Sequence, residues 1–413
     1  MIIHGDVAFM ILSTVLVLIM TPGLAFFYGG LVERKNSLTI MYQSFISLGI
    51  VTILWIFCGF SLVFGTDIGG VIGNPLDYFL FNDITFFTNL KYGPDIPFIM
   101  FFMYQLMFAI ITAPLMTGAY ANRLNMTGWI KIVILWMILV YFPVAHWVWG
   151  GGFLAKLGFV DYAGGTVIHI TSGFGCLGGL AYLGRRAYPN EKGPFHLGFV
   201  VIGAAILLFG WFGFNAGSAL AANGLAVHAL VTTHVSAAAA MFSWLAIEKH
   251  VTGHPSLVGG STGLVAGLVA ITPGAGFVSI WSAILIGAMV SPVCFYAISV
   301  LKKRFAYDDA LDAFGCHGVG GIFGGLVTAV FTTPDLALDK ANIGLIYGNA
   351  HLFLVTVLTI IFTAVWSGLV SYGIIKVIAH YMPLRVSDRD EAIGLDDSEH
   401  KETAYPTFMG LDS

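Results

Sequence analysis

The sequence predicts an all-α polytopic membrane protein of eleven transmembrane helices, arranged as two inverted five-helix repeats plus a long eleventh helix. Three observations carry this. Only 10% of the 413 residues are charged and 58% are hydrophobic, with a mean hydropathy of +0.88. Soluble domains carry roughly 25% charged residues, so this chain lacks the charge to coat a water-facing surface. A soluble enzyme, a disordered chain and a nucleic-acid binder are excluded on that ground. Apolar runs of about 20 residues, the length that crosses a bilayer, recur along the chain. Finally, Lys and Arg are sorted: taken in span order, all but Lys91, Lys156 and Lys340 fall on one side. The basic side is the cytoplasmic one, which places the N-terminus outside and the C-terminus in the cytoplasm. The expected location is the cell membrane, multi-pass, in a lipid bilayer.

Each element follows in order. The first run, 7–31, exceeds a signal-peptide core and has no basic start or A-x-A site, so it is kept as a helix. The second, 40–64, is followed by the polar loop 66–96, punctuated by Gly73-Asn74-Pro75, Asn82-Asp83 and Tyr92-Gly93-Pro94. Helix 97–121 holds Tyr104, Gln105 and Phe108; helix 127–149 closes on Ala145-His146-Trp147-Val148-Trp149. Helix 163–184 contains His169, and 197–219 contains Trp211, Phe212, Phe214 and Ser218. Then come 226–247, the short Gly-rich run 256–273, which is the weakest span, and 277–301. Helix 313–333 begins around His317, and 350–380 is the long last span. Glycine numbers 51, with many pairs four apart, such as Gly213/Gly217, Gly263/Gly267, Gly320/Gly324 and Gly321/Gly325. Such spacing lets helices approach closely in lipid and favours a compact bundle around a narrow pore or small-substrate site.

The domain boundary falls at 383/384. Residues 1–383 form the transmembrane domain, and 384–413 form an acidic tail in which Asp388, Asp390, Glu391, Asp396, Asp397, Glu399, Glu402 and Asp412 outnumber Arg385, Arg389 and Lys401. The tail is either a solvated terminus or a cytoplasmic docking or gating element.

Ionisable residues inside a membrane are costly and stand as functional candidates. Six histidines lie in apolar runs: His146, His169, His228, His234, His317 and His351. None has the carboxylate spacing of a metal motif, so no metal or cofactor is expected. Cys58, Cys176, Cys294 and Cys316 form no C-x-x-C pair and read as packing residues. His169 and His317 each sit in the last helix of a five-helix set. Repeats with an odd number of spans are inverted, and inverted repeats place paired sites near the midplane. The two imidazoles could therefore meet and share a proton, since imidazole both donates and accepts. The aromatics Phe108, Trp147, Trp149, Trp211, Phe212 and Phe214 fit either an ordinary interfacial belt or an outward cage for a small cation.

With these residues in place, the chain resembles the ammonium transporters of the Amt/Mep/Rh family, and the Amt branch in particular, over nearly its whole length. The strings that carry the likeness are Pro22 to Gly30, Ala145 to Gly152, Asp161-Tyr-Ala-Gly-Gly165, Gly210 to Ser218, and Asp312 to Gly321. The resemblance implies a homotrimer of eleven-helix subunits, each with its own pore, and no enzymatic activity. It implies an outer ammonium-recruiting site of Trp149, Phe108 and Ser218 with Gln105 beside it. Phe108 and Phe214 would be the aromatic gate beneath, and His169 and His317 the twin histidines of the conduit. Asp161 would support the recruiting site without touching substrate. The tail resembles the family's regulatory segment, with a PII-type signal protein as candidate partner at the cytoplasmic face. It departs from the family pattern at Lys401, where glycine is usual.

An intact ion at the bilayer centre costs at least about 2.5–3.5 kcal/mol, whereas a cation–π contact returns roughly 0.5–2 kcal/mol. The expected function is thus ammonium uptake in which the ion is recruited outside and deprotonated, and neutral ammonia crosses. If the proton returns outside, the protein is a passive ammonia channel. If the histidines relay it, uptake is electrogenic, and this second route is the one expected.

Overall fold

The structure, a computed structural model, describes residues 1–189 and 193–405. Lys192, expected on the cytoplasmic side, and tail residues 406–413, including Asp412, lie outside the described residues.

Among the described residues, ten helices are long and apolar enough to cross a membrane. They are α1 (His4–Leu31), α2 (Arg34–Phe64), α3 (Phe98–Ala119), α4 (Met126–Lys156), α5 (Gly165–Leu183), α6 (Leu197–Ala219), α7 (Gly224–Thr252), α9 (Ile280–Phe305), α10 (Phe314–Phe331) and α11 (His351–Tyr381). Between α7 and α9 lies α8 (Leu257–Ile271), which is apolar but only 15 residues long. Thr272-Pro273-Gly274 follows at once, and proline cannot continue a helix. Helix α4 runs past residue 149, where the hydropathy pattern fades, because its last turns bend through π-helical geometry (His146–Gly150) into the short segment Phe153–Lys156. The polar loop 66–96 is ordered by two small antiparallel pairs, Asp67–Ile68 with Ile72–Gly73 and Thr88–Asn89 with Gly93–Pro97.

The bundle is knitted across its two halves. α1 packs along α6, α5 meets α10, α7 rests on α8 and α9, and α11 lies against α5. Glycine permits these approaches: a Cβ at Gly173 of α5 would collide with the backbone of Gly318 in α10, and one at Gly321 would crowd His169. The expected pairs behave likewise, with Gly213 and Gly217 against α1 and Gly263 and Gly267 against α7. The cysteines are free, with Cys58 half-buried and the other three buried.

The tail folds back on the bundle as α12 (Asp388–Ile393) and α13 (Leu395–His400). Asp396 accepts from the backbone N–H of Leu38 and Thr39 and from the Thr39 hydroxyl. Buried Glu391 accepts from the N–H of Ala187 and Tyr188 and pairs with Arg385. Lys401 adopts left-handed φ of 59°.

Candidate functional site

Of six π-helical segments among the described residues, three carry histidine: His146–Gly150, Gly165–Ile170 and Phe314–Val319. A π turn inserts one residue into the helical register and rotates the following side chains, a geometry common at functional sites. Trp149, His169 and His317 all lie in these segments.

At one end of the bundle stands Trp149, whose indole Nε1 donates to the carbonyl of Asp161 at 2.9 Å. The Asp161 carboxylate caps the start of α5. One oxygen accepts from the N–H of Gly164 (2.8 Å) and Gly165 (2.7 Å), the other from Thr166 (2.7 Å) and Val167 (3.2 Å). Gly164 takes φ of 116°, a conformation glycine supplies without a Cβ clash. A single residue therefore fixes both the aromatic at the mouth and the helix that carries His169.

Phe108 meets Trp149 edge-on at 6.1 Å between ring centroids and lies over Phe214 at 4.4 Å. The Tyr104 hydroxyl bonds the carbonyls of Gly213 and Phe214, and stands 3.4 Å from the Ser218 hydroxyl. The Ser218 hydroxyl donates to the Phe214 carbonyl at 2.9 Å. Gln105, half-buried one turn before Phe108, has no side-chain hydrogen bond among the described residues. Phe108 and Phe214 are both buried.

Beneath them the rings continue as a stack. His169 lies 5.5 Å from Trp211 and 6.4 Å from Phe214, nearly parallel to both. His169 Nδ1 is 3.2 Å from His317 Nδ1, and His317 Nε2 is 3.4 Å from the Tyr28 hydroxyl. His169 Nε2 is buried without a protein partner and borders a small cavity of about 20 Å³. That is room for about one water-sized molecule. Leu24, Ile111, Leu115 and Val265 make its remaining walls apolar.

Of the six membrane histidines, only His169 and His317 meet. His146 bridges the Val63 carbonyl and Asp67, His228 bonds Val278, His351 bonds Leu157, and His234 packs beside Phe212. Trp147 bonds the Val71 carbonyl, away from Phe108 and Phe214, among Phe153, Phe362 and Trp366. Sequence reasoning passed over Tyr28 and Tyr104. The available signal was a phenol within an apolar run, in Phe27-Tyr28-Gly29 for the first. Among the described residues, no group of three or more His, Cys, Asp or Glu could hold a metal.

The Ammonium Transporter Family model matches residues 8–405. The chain is 42% identical over 405 residues to an ammonium transporter of Bacillus subtilis, covering 98% of this chain and 99% of that protein. It is 43% identical over 404 residues to the ammonium transporter Amt1 of Archaeoglobus fulgidus, covering 97% and 99%. Among solved structures, Mep2 of Saccharomyces cerevisiae superposes with a TM-score of 0.86 at 32% identity, over 94% of this chain and 88% of that one.

Proposed function

Because the chain belongs to the ammonium transporter family, a multi-pass membrane family that carries ammonium, we propose that it takes up ammonium by separating the ion into ammonia and a proton. The observation that supports this most is the unbroken sequence of contacts from Trp149 through Phe108, Phe214, His169 and His317 to Tyr28.

In this reading Trp149, Phe108 and Ser218 receive the ion, with Gln105 at the margin and Asp161 positioning Trp149. The aromatic faces supply cation–π attraction. Amines of this basicity are almost wholly protonated at pH 7, as Lys is with a reference value of about 10.4. The cost of carrying that charge through a dry conduit, at least about 2.5–3.5 kcal/mol, exceeds what one aromatic face returns. Deprotonation at the mouth removes the cost, and the 20 Å³ cavity beside His169 suits one neutral ammonia.

The histidine geometry offers the proton a route. Facing Nδ1 atoms require that one donate and the other accept. With His169 Nδ1 donating, His317 carries its proton on Nε2 and donates to the Tyr28 oxygen. A proton arriving at His169 Nε2 then displaces the Nδ1 proton to His317, and the His317 Nε2 proton passes to the Tyr28 oxygen as that phenol releases its own proton to water on the cytoplasmic side. The pair is left in the opposite tautomer and resets before the next transfer. Membrane potential contributes about 2.3 kcal/mol per 100 mV to such a charge movement.

The same reading takes α8 as an eleventh, short span, with α1–α5 and α6–α10 as inverted repeats. The N-terminus is outside and the 384–413 segment is a cytoplasmic regulatory tail on the 1–383 domain. It further takes the subunits as a homotrimer and a PII-type signal protein as partner of the cytoplasmic face.

The test is current from the purified protein in proteoliposomes on a solid-supported membrane after an ammonium jump, with potassium as control. A saturable ammonium-selective current that falls at least tenfold in His317→Ala is expected. A silent membrane with internal alkalinisation still accelerated in stopped flow would identify a neutral ammonia channel and refute the relay.

A further inference from the structure

A groove of about 570 Å³ opens where α5 and α9 end, far from the aromatic mouth. Leu177, Leu180, Leu301, Phe305, Tyr307 and Phe314 make its walls almost wholly apolar. Phe305 is 69% exposed, so the groove presents a bare ring at the bundle's edge. Arg185 lies in its lining. Arg304, one turn beyond Leu301 on the same helix face, is exposed, as is Lys303.

The neighbouring acids are already engaged. Asp308 bonds Arg186 through both oxygens and lies 3.5 Å from Arg123, and Asp312 pairs with Lys302 at 2.6 Å. Among the described residues, no carboxylate pairs with Arg185, Lys303 or Arg304. The result is an apolar slot at the end of two spans, edged by cations without a carboxylate partner, while the buried Asp309 is held by the N–H of Leu311 and Phe314. A soluble anion would leave the slot empty, and a zwitterionic headgroup would bring its own cation against the arginines. Basic pockets between spans on the cytoplasmic side suit acidic lipid headgroups.

We propose that this groove is a binding site for an acidic phospholipid of the inner leaflet, with an acyl chain along Leu180 and Phe305 and the phosphate at Arg185 and Arg304. The leaflet rests on the orientation proposed above; the binding itself does not. The site touches the relay from behind. Phe314 opens the π-helical segment that carries His317, and its ring packs on Phe174 at 5.3 Å and Tyr307 at 5.7 Å. An acyl chain against Phe314 would steady that segment.

The experiment is native mass spectrometry of the full-length protein in nonionic detergent, titrated with dioleoyl phosphatidylglycerol or dioleoyl phosphatidylcholine. Neither orientation nor transport enters this readout. The phosphatidylglycerol should bind at least fivefold more tightly. Arg185→Gln and Arg304→Gln should each weaken it about fivefold, the factor one basic residue contributes near an acidic surface, and leave phosphatidylcholine unchanged. Ala181→Trp, at an exposed position of the α5 face of the groove, should fill the slot and abolish the preference. Equal affinity for the two lipids, or a preference that survives Ala181→Trp, would overturn the proposal. So would glycerol 3-phosphate competing as well as the whole lipid, since the site would then be one for a soluble anion.

Discussion

Asp161→Asn is the sharpest test of how the mouth is built. The native carboxylate offers two oxygens to four backbone N–H groups at 2.7 to 3.2 Å, and it is 6% exposed. An amide of the same shape keeps one oxygen, so whichever way it is flipped two N–H groups face an NH2. Hydrogen bonds to charged groups contribute about 1.5–3 kcal/mol each, which puts the loss near 3–6 kcal/mol. The favourable placement of an anion at the helix N-terminus goes as well. A fall in thermal midpoint on the order of 5 °C follows. Since the carbonyl of the same residue holds Trp149, the ammonium-evoked current should fall with it. Measuring both on one preparation decides the matter. An unchanged midpoint with an unchanged current would mean that α5 is capped by other means and that Asp161 positions nothing.

Gly173→Ala should drive the α5 and α10 backbones apart where they touch beside the histidines. An overpacking cost of about 1–3 kcal/mol is expected, with the larger effect on ammonium current because the 3.2 Å Nδ1–Nδ1 contact must lengthen. Lys401→Gly should stabilise the docked tail by about 0.5–1 kcal/mol, relief of left-handed strain less the entropy glycine adds, and slow proteolysis after His400. Asp308 supplies a pH test. Burial raises its carboxyl, but Arg186 and Arg123 outweigh it and hold the group at about 2. A folded value below the unfolded one means stability that is present above pH 4 and lost as pH falls toward 2. After solvent screening the change is about 1–2 kcal/mol, read as earlier unfolding on acidification and absent in Asp308→Asn.

Hydropathy is a local property, so the spans, the acidic tail and the weakness of 256–273 could be read from the chain alone. The same holds for the six histidines in apolar runs, since an ionisable residue there needs no fold to stand out; that His169 and His317 are the pair rested on the repeat argument. The remaining features are contacts between residues distant in sequence. His169 and His317 are 148 positions apart, and Tyr28 lies 289 from His317. No periodicity announces that a tyrosine of the first helix meets His317. The family resemblance named Asp161, but only the folded loop shows it capping α5 with its carboxylate while its carbonyl holds Trp149. The π turns were invisible because one inserted residue leaves composition untouched while rotating everything after it. The tail's role was left between two readings, for an acidic segment looks the same solvated or docked. Asp396 on the Leu38 and Thr39 amides and Glu391 on Ala187 and Tyr188 show the segment packed against the bundle. Composition determines which residues leave water, and the tertiary structure decides which of them meet.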